Sequence, residues 1–231
     1  MAMVLEIRDF INPIKSIYDI SPVMNYIFLH PNTIIALSFF TGGEFTLTAM
    51  FSLIRTLLQP YCCVNTISFN WNKFDTSTIH QFCLFLKTPG NSIKHLSFES
   101  VRSDNLVYFY TSLLDVLQDV NNHIEELELK FMEHSLQTLY FLYLGLSHVN
   151  NKITTLRLYF SYPITFDMLK LFLKSFSYST NKVRQLDIRN SKGLLFDDTV
   201  LTFKYLLSIK RNKLKHMKTD FDYVIKKKLR I

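Results

Sequence analysis

A short pattern, apolar-x-x-apolar-x-apolar, returns six times along the chain. The copies are Ile34/Leu37/Phe39, Val64/Ile67/Phe69, Ile93/Leu96/Phe98, Ile124/Leu127/Leu129, Ile153/Leu156/Leu158 and Val183/Leu186/Ile188. The middle residues stand at 37, 67, 96, 127, 156 and 186, and a worn copy, Leu214/Met217, follows 31 residues later. So regular a period confines the chain to an array of like units stacked in order. Within each copy the last apolar positions alternate with polar residues such as Ser97, Glu128, Arg157 and Asp187. That period of two predicts a strand with one buried face. Helical spacing fills the intervals at residues 45–58, 76–86, 106–120, 136–146, 166–176 and 200–209. Asp75, Ser103 with Asp104, and Thr165 with Asp167 supply N-cap chemistry at three of the starts. A lone strand–helix unit cannot bury both its apolar faces, so each must stack on the next.

Composition agrees with a folded chain. Hydrophobic residues make up 48% and charged ones 19%, with 5 Gly and 6 Pro, which excludes disordered and collagen-like classes. At 231 residues one domain is expected: residues 1–32 as an N-terminal cap, 33–221 as the array and 222–231 as a basic tail. Pro13 suits a first helical turn within the cap. The net charge of +7 is local, because residues 204–231 hold ten Lys/Arg and two acids, leaving a body of 16 basic and 17 acidic residues. Three cysteines, Cys62, Cys63 and Cys83, cannot all pair within one chain, which indicates a reducing, cytoplasmic setting. Glu6, Arg8 and Asp9 interrupt any cleavable signal. The longest uncharged run, residues 20–43, is too broken by Pro22, Asn25, His30, Pro31 and Asn32 to span a membrane.

The strand pattern, the period and the intervening helices together resemble the leucine-rich-repeat family, specifically its long-repeat, ribonuclease-inhibitor-like kind. The resemblance covers residues 34 to about 221. It implies an α/β leucine-rich-repeat solenoid, a horseshoe of six to seven strand–helix repeats with parallel strands on the concave face and helices outside. The family favours Asn or Cys just after the strand to bond the turn, and only Asn72 fits, against Gly42, Val101, Met132, Ser161 and Ser191.

In such a fold the residues between the anchors point into the hollow. They are Ala36, Ser38 and Phe40; Thr66, Ser68, Asn70 and Trp71; His95, Ser97 and Glu99; Glu126, Glu128 and Lys130; Thr155, Arg157 and Tyr159; and Gln185, Asp187 and Arg189. The expected partner-binding set is Phe40, Asn70, Trp71, His95, Glu99, Glu126, Glu128, Lys130, Arg157, Tyr159, Gln185, Asp187 and Arg189, because Trp, Tyr and Arg dominate interface energetics. Two readings stay open for Trp71 and Phe160, one step past their strands: binding residue, or core at the turn. Glu99, Glu126 and Glu128 fall on adjacent strands about 4.8 Å apart. They read as an acidic patch for a basic partner surface, tempered by Lys130 and Arg157, rather than as acid/base catalysts.

No nucleophile–base order, phosphate-binding glycine loop or metal-ligand spacing is evident, so the chain is expected not to be an enzyme and to need no cofactor. Cys83 lies in an apolar run with His80 three residues before it, and all three cysteines read as core. The basic tail, with only Phe221 and Tyr223 beside its lysines, reads as a solvated cap, which leaves nucleic acid and membrane as the weaker partners. The expected activity is binding by a chain that is monomeric on its own. Being short, signal-less and glycine-poor, the chain also resembles the leucine-rich-repeat effectors that intracellular bacterial pathogens inject into host cells. That resemblance implies delivery to a host cytosol and a folded partner: another bacterial effector enzyme whose active site is occluded, or alternatively a host protein.

Overall fold

A computed structural model describes residues 3–8, 21–30, 33–40, 44–132, 135–161, 165–190, 201–202, 204–206, 208–209 and 213–218. Pro13, Gly42, Ser191, parts of the helix expected at 200–209 and the whole basic tail lie outside these residues. The strands are β1 (Met3–Arg8), β2 (Ile34–Phe40), β3 (Thr66–Asn70), β4 (Lys73–Phe74), β5 (His95–Glu99), β6 (Arg102–Ser103), β7 (Glu126–Met132), β8 (Thr155–Phe160), β9 (Gln185–Asn190) and β10 (His216–Lys218). Between them run helices α1 (Ser21–Leu29), α2 (Leu47–Leu57), α3 (Thr76–Leu86), α4 (Leu106–Gln118), α5 (Leu136–Ser147) and α6 (Phe166–Leu173), the last continued by a 3-10 turn at Lys174–Ser177.

Eight strands form one parallel sheet in chain order, β1-β2-β3-β5-β7-β8-β9-β10, while β4 and β6 pair separately. The anchors of the sequence pattern align across it: Leu5, Leu37, Ile67, Leu96, Leu127, Leu156, Leu186 and Met217 share one register line. The sheet therefore starts within the segment assigned to the cap, and the worn last copy is a real strand. A second inward line holds Phe39, Phe69, Phe98, Leu129, Leu158 and Ile188, all buried. Its phenylalanines stack at 5.4 and 5.7 Å and meet Phe45, Phe82 and Phe109 from the helical side. Such aromatic pairs add to the burial of their large apolar area.

Helix starts follow local capping chemistry. Thr46, Asp75, Asn105, Ser135 and Thr165 accept from backbone N–H groups three residues on, and Ser135 with Thr138 forms a capping box. For α4 this corrects the expectation: Asn105 is the cap, while Ser103 only accepts from the Asn105 N–H and Asp104 is bridged to Lys73. Gly145 allows α5 to lie close on α4, since a Cβ there would meet Leu117 Cδ1 at 2.8 Å.

The turns from helix to strand hold a feature that the sequence reading missed. Asn91, Asn122, Asn151 and Asn181 are buried, and each side-chain oxygen accepts from the backbone N–H two residues on: Ile93, Ile124, Ile153 and Val183. The amides of Asn91 and Asn151 also donate to the carbonyls of Leu86 and Leu146 at the preceding helix ends. One side chain thus satisfies orphan groups of both elements. Cys62 holds the equivalent position, accepting from the Val64 N–H.

Candidate functional site

Because the helices cover the face carrying the anchors, the alternate residues face outward on the other, open face. Three register rows cross it. One runs Ala36, Thr66, His95, Glu126, Thr155, Gln185; a second runs Ser38, Ser68, Ser97, Glu128, Arg157, Asp187; the third runs Phe40, Asn70, Glu99, Lys130, Tyr159, Arg189. All the expected binding residues thus belong to one face or its rim. Ala36, Thr155, Asn70 and Asp187 are nonetheless buried; Asn70 is 5% exposed and offers little to a partner.

The two halves of the face differ. From β2 to β3 it is uncharged, with Ser38, Phe40, Thr66 and Ser68 half-buried. From β5 to β9 it is a network of paired charges. Glu126 accepts from Arg157 at 3.2 Å and lies 3.3 Å from His95 Nδ1. Lys130 bridges Glu128 at 3.3 Å and Glu99 at 3.6 Å, and Ser97 donates to Glu128. Arg189 makes a two-pronged contact to Asp187 at 2.9 and 3.1 Å, and the Tyr159 hydroxyl donates to the same carboxylate at 3.1 Å. The expected acidic patch is therefore largely neutralised from within, and its carboxylates are held apart by cations.

Tyr159 is the hub. Lys130 Nζ lies 5.6 Å and the Arg189 guanidinium 5.3 Å from its ring centre, and Phe131 is 6.3 Å away. Burial, then the Asp187 charge and hydrogen bond, push the Tyr159 phenol up to about 12.

The rim resolves the two readings left open. Trp71, Ser100 and Phe131 occupy equivalent places just past the anchors and all adopt left-handed backbone, with φ of 61°, 50° and 51°. Each non-glycine residue there costs about 1–2 kcal/mol. The Trp71 and Ser100 N–H groups donate across to the Glu99 and Lys130 carbonyls, and at Phe131 the register with β8 slips by one residue. The bulge at Phe131 and the left-handed backbone at Trp71 accompany outward side chains, 41% and 56% exposed respectively. β8 lacks the extra residue, so Phe160 stays in line with Met132 and is 2% exposed. Trp71 is a rim aromatic, and Phe160 is core.

Of the three cysteines, Cys63 alone departs from the expected core role. Cys63 is exposed, while Cys62 and Cys83 are both half-buried against the core, and burial pushes the Cys83 thiol up to about 12. The His80 Nδ1 contacts the Tyr108 hydroxyl at 3.0 Å. Because the native state favours the neutral Cys83 thiol, its contribution to stability is complete below the ordinary thiol value and is lost as pH rises from there toward about 12. At pH 8 a disulfide reagent should modify Cys63 in the native protein, Cys62 more slowly, and Cys83 only after unfolding; equal rates at all three would contradict this arrangement.

Among the described residues no group of three or more His, Cys, Asp and Glu is placed to hold a metal, and no helix is long and apolar enough to cross a membrane. Compared with known proteins, the chain matches no protein-family model and no curated protein.

Proposed function

We propose that the chain is a leucine-rich-repeat solenoid of the ribonuclease-inhibitor-like kind, whose open sheet face is concave and binds one folded protein partner. Binding is the activity, and no chemistry is assigned to the face. The carrying observation is Tyr159 held rigid by Asp187, Lys130 and Arg189 beside outward-facing Phe131. Such a cluster supplies aromatic contact area whose ordering cost is already met in the free protein. The neutralised charge network supports a partner surface of mixed sign rather than nucleic acid, which would call for an unpaired positive stripe. The strand–helix units stacked in chain order support the family reading, and with it the partner class: a convex enzyme domain, such as another effector, whose active site the face occludes. A host protein is the alternative occupant.

Affinity capture from bacterial and eukaryotic lysates tests this. A Tyr159→Ala, Arg157→Glu variant should lose one stoichiometric partner, each truncation of a hot spot costing at least about 2 kcal/mol, or about thirtyfold in Kd. Lys94→Ala, which removes the exposed Lys94–Glu125 bridge outside the face, should capture as wild type does. A partner retained by the double variant sinks the reading, and the source of a lost partner separates effector regulation from host-directed binding.

A further inference from the structure

Helices α1 to α5 carry only two charged side chains, Arg55 in α2 and Asp115 in α4, although charged residues make up 19% of the chain. A helical surface that meets only water is normally the most charged part of a protein. In place of charge the layer exposes Phe51, Leu84, Val107, Leu136 and Tyr140, with Tyr140 and Tyr143 stacked at 5.7 Å. A helical layer that exposes apolar side chains in place of charge has the character of an interface.

The placing of the two charges indicates the occupant. Arg55, Leu84 and Asp115 each stand nine residues before the first anchor of the following strand, Val64, Ile93 and Ile124 respectively. They therefore form one row across three neighbouring helices, with an exposed leucine between opposite charges. Arg55 and Asp115 are exposed, and neither has an ion-pair partner among the described residues. A two-fold axis lying in this surface and parallel to α3 brings the row onto itself reversed. Leu84 then meets Leu84 of the second copy, and each Arg55 faces the second copy's Asp115.

We infer that a second copy of this chain docks on the helical layer through α2, α3 and α4, back to back. With 11, 11 and 13 residues, these helices are about 17–20 Å long and lie about 8–10 Å apart, offering about 500 Å² per copy. The total of about 1,000 Å² sits at the lower bound for a specific interface, so the dimer is reversible and micromolar. It replaces the monomer expected from sequence. It also leaves both open faces outward, so two partners are held by one assembly.

Sedimentation velocity of the full chain from about 1 to 200 µM should show the mass rise from 27.3 kDa toward twice that value. Arg55→Asp and Asp115→Arg, each placing like charges together at two symmetric positions, should each weaken the dimer at least about tenfold. The combined R55D/D115R exchange should restore it. A monomer throughout the range, a dimer indifferent to either reversal, or a double variant that fails to recover overturns the proposal. So does a monomer that co-sediments with phosphatidylcholine vesicles, which would assign the layer to lipid.

Discussion

Replacing Asn151 with leucine should lower stability by about 3 kcal/mol, because two buried backbone groups lose their partner at once and each unsatisfied group costs about 1–3 kcal/mol. The side chain is fully buried; its oxygen accepts from the Ile153 N–H at 3.0 Å and its amide donates to the Leu146 carbonyl at 3.2 Å. Leucine fills the space and answers neither. In a chain of this size the melting temperature should fall by about 6–12 °C, read by circular dichroism. A fall of one or two degrees would mean that water or a neighbouring group takes over both bonds. The converse substitution sharpens the test. Cys62 supplies the acceptor but not the amide donor at its turn, so Cys62→Asn should raise stability by about 1 kcal/mol for one added hydrogen bond, or the melting temperature by about 2–4 °C.

Truncating Phe69 should be the costliest single core change, at about 4 kcal/mol. Its ring is fully buried, stacks between Phe39 and Phe98, and meets Phe45, Phe74 and Phe82 edge-on. Phe69→Ala therefore opens a cavity bordered by five rigid rings that collapse poorly into it. Denaturant unfolding gives the loss, and a double-mutant cycle with Phe98→Leu should return a coupling of about 1 kcal/mol. An additive cycle would mean that the stack contributes area alone. Hydrogen exchange should rise first in β2, β3 and β5, since each unit leans chiefly on its neighbours.

Most of the architecture was legible because it follows from periodicity. The register line through Leu37, Ile67, Leu96, Leu127, Leu156 and Leu186 and the helix Thr76–Leu86 coincide with the reading from spacing alone. Burial decides those positions, and burial follows the apolar pattern. The asparagines were harder to see, although they recur two residues before the first anchor at 91, 122, 151 and 181. A polar residue in a turn is ordinarily read as solvated, and only the count of backbone groups at each helix end reveals that it is core. Phe131 and Phe160 hold equivalent places in the repeat yet differ in exposure, since the extra residue of the β7 bulge reverses the direction of a side chain, and Trp71 shares the left-handed backbone of Phe131. Nor could the pattern show how the charges of the open face pair, because side-chain reach across strands depends on rotamers and not on spacing.

The order of the strands has a mechanical consequence. Among the described residues each strand of the main sheet pairs with its predecessor and successor in that sheet, so a load applied between the two ends crosses every junction in series. The molecule under tension behaves as a stack of weak links. It would yield one unit at a time, each paying out about 100 Å of thread from some 30 residues, while the remaining units keep their shape and grip.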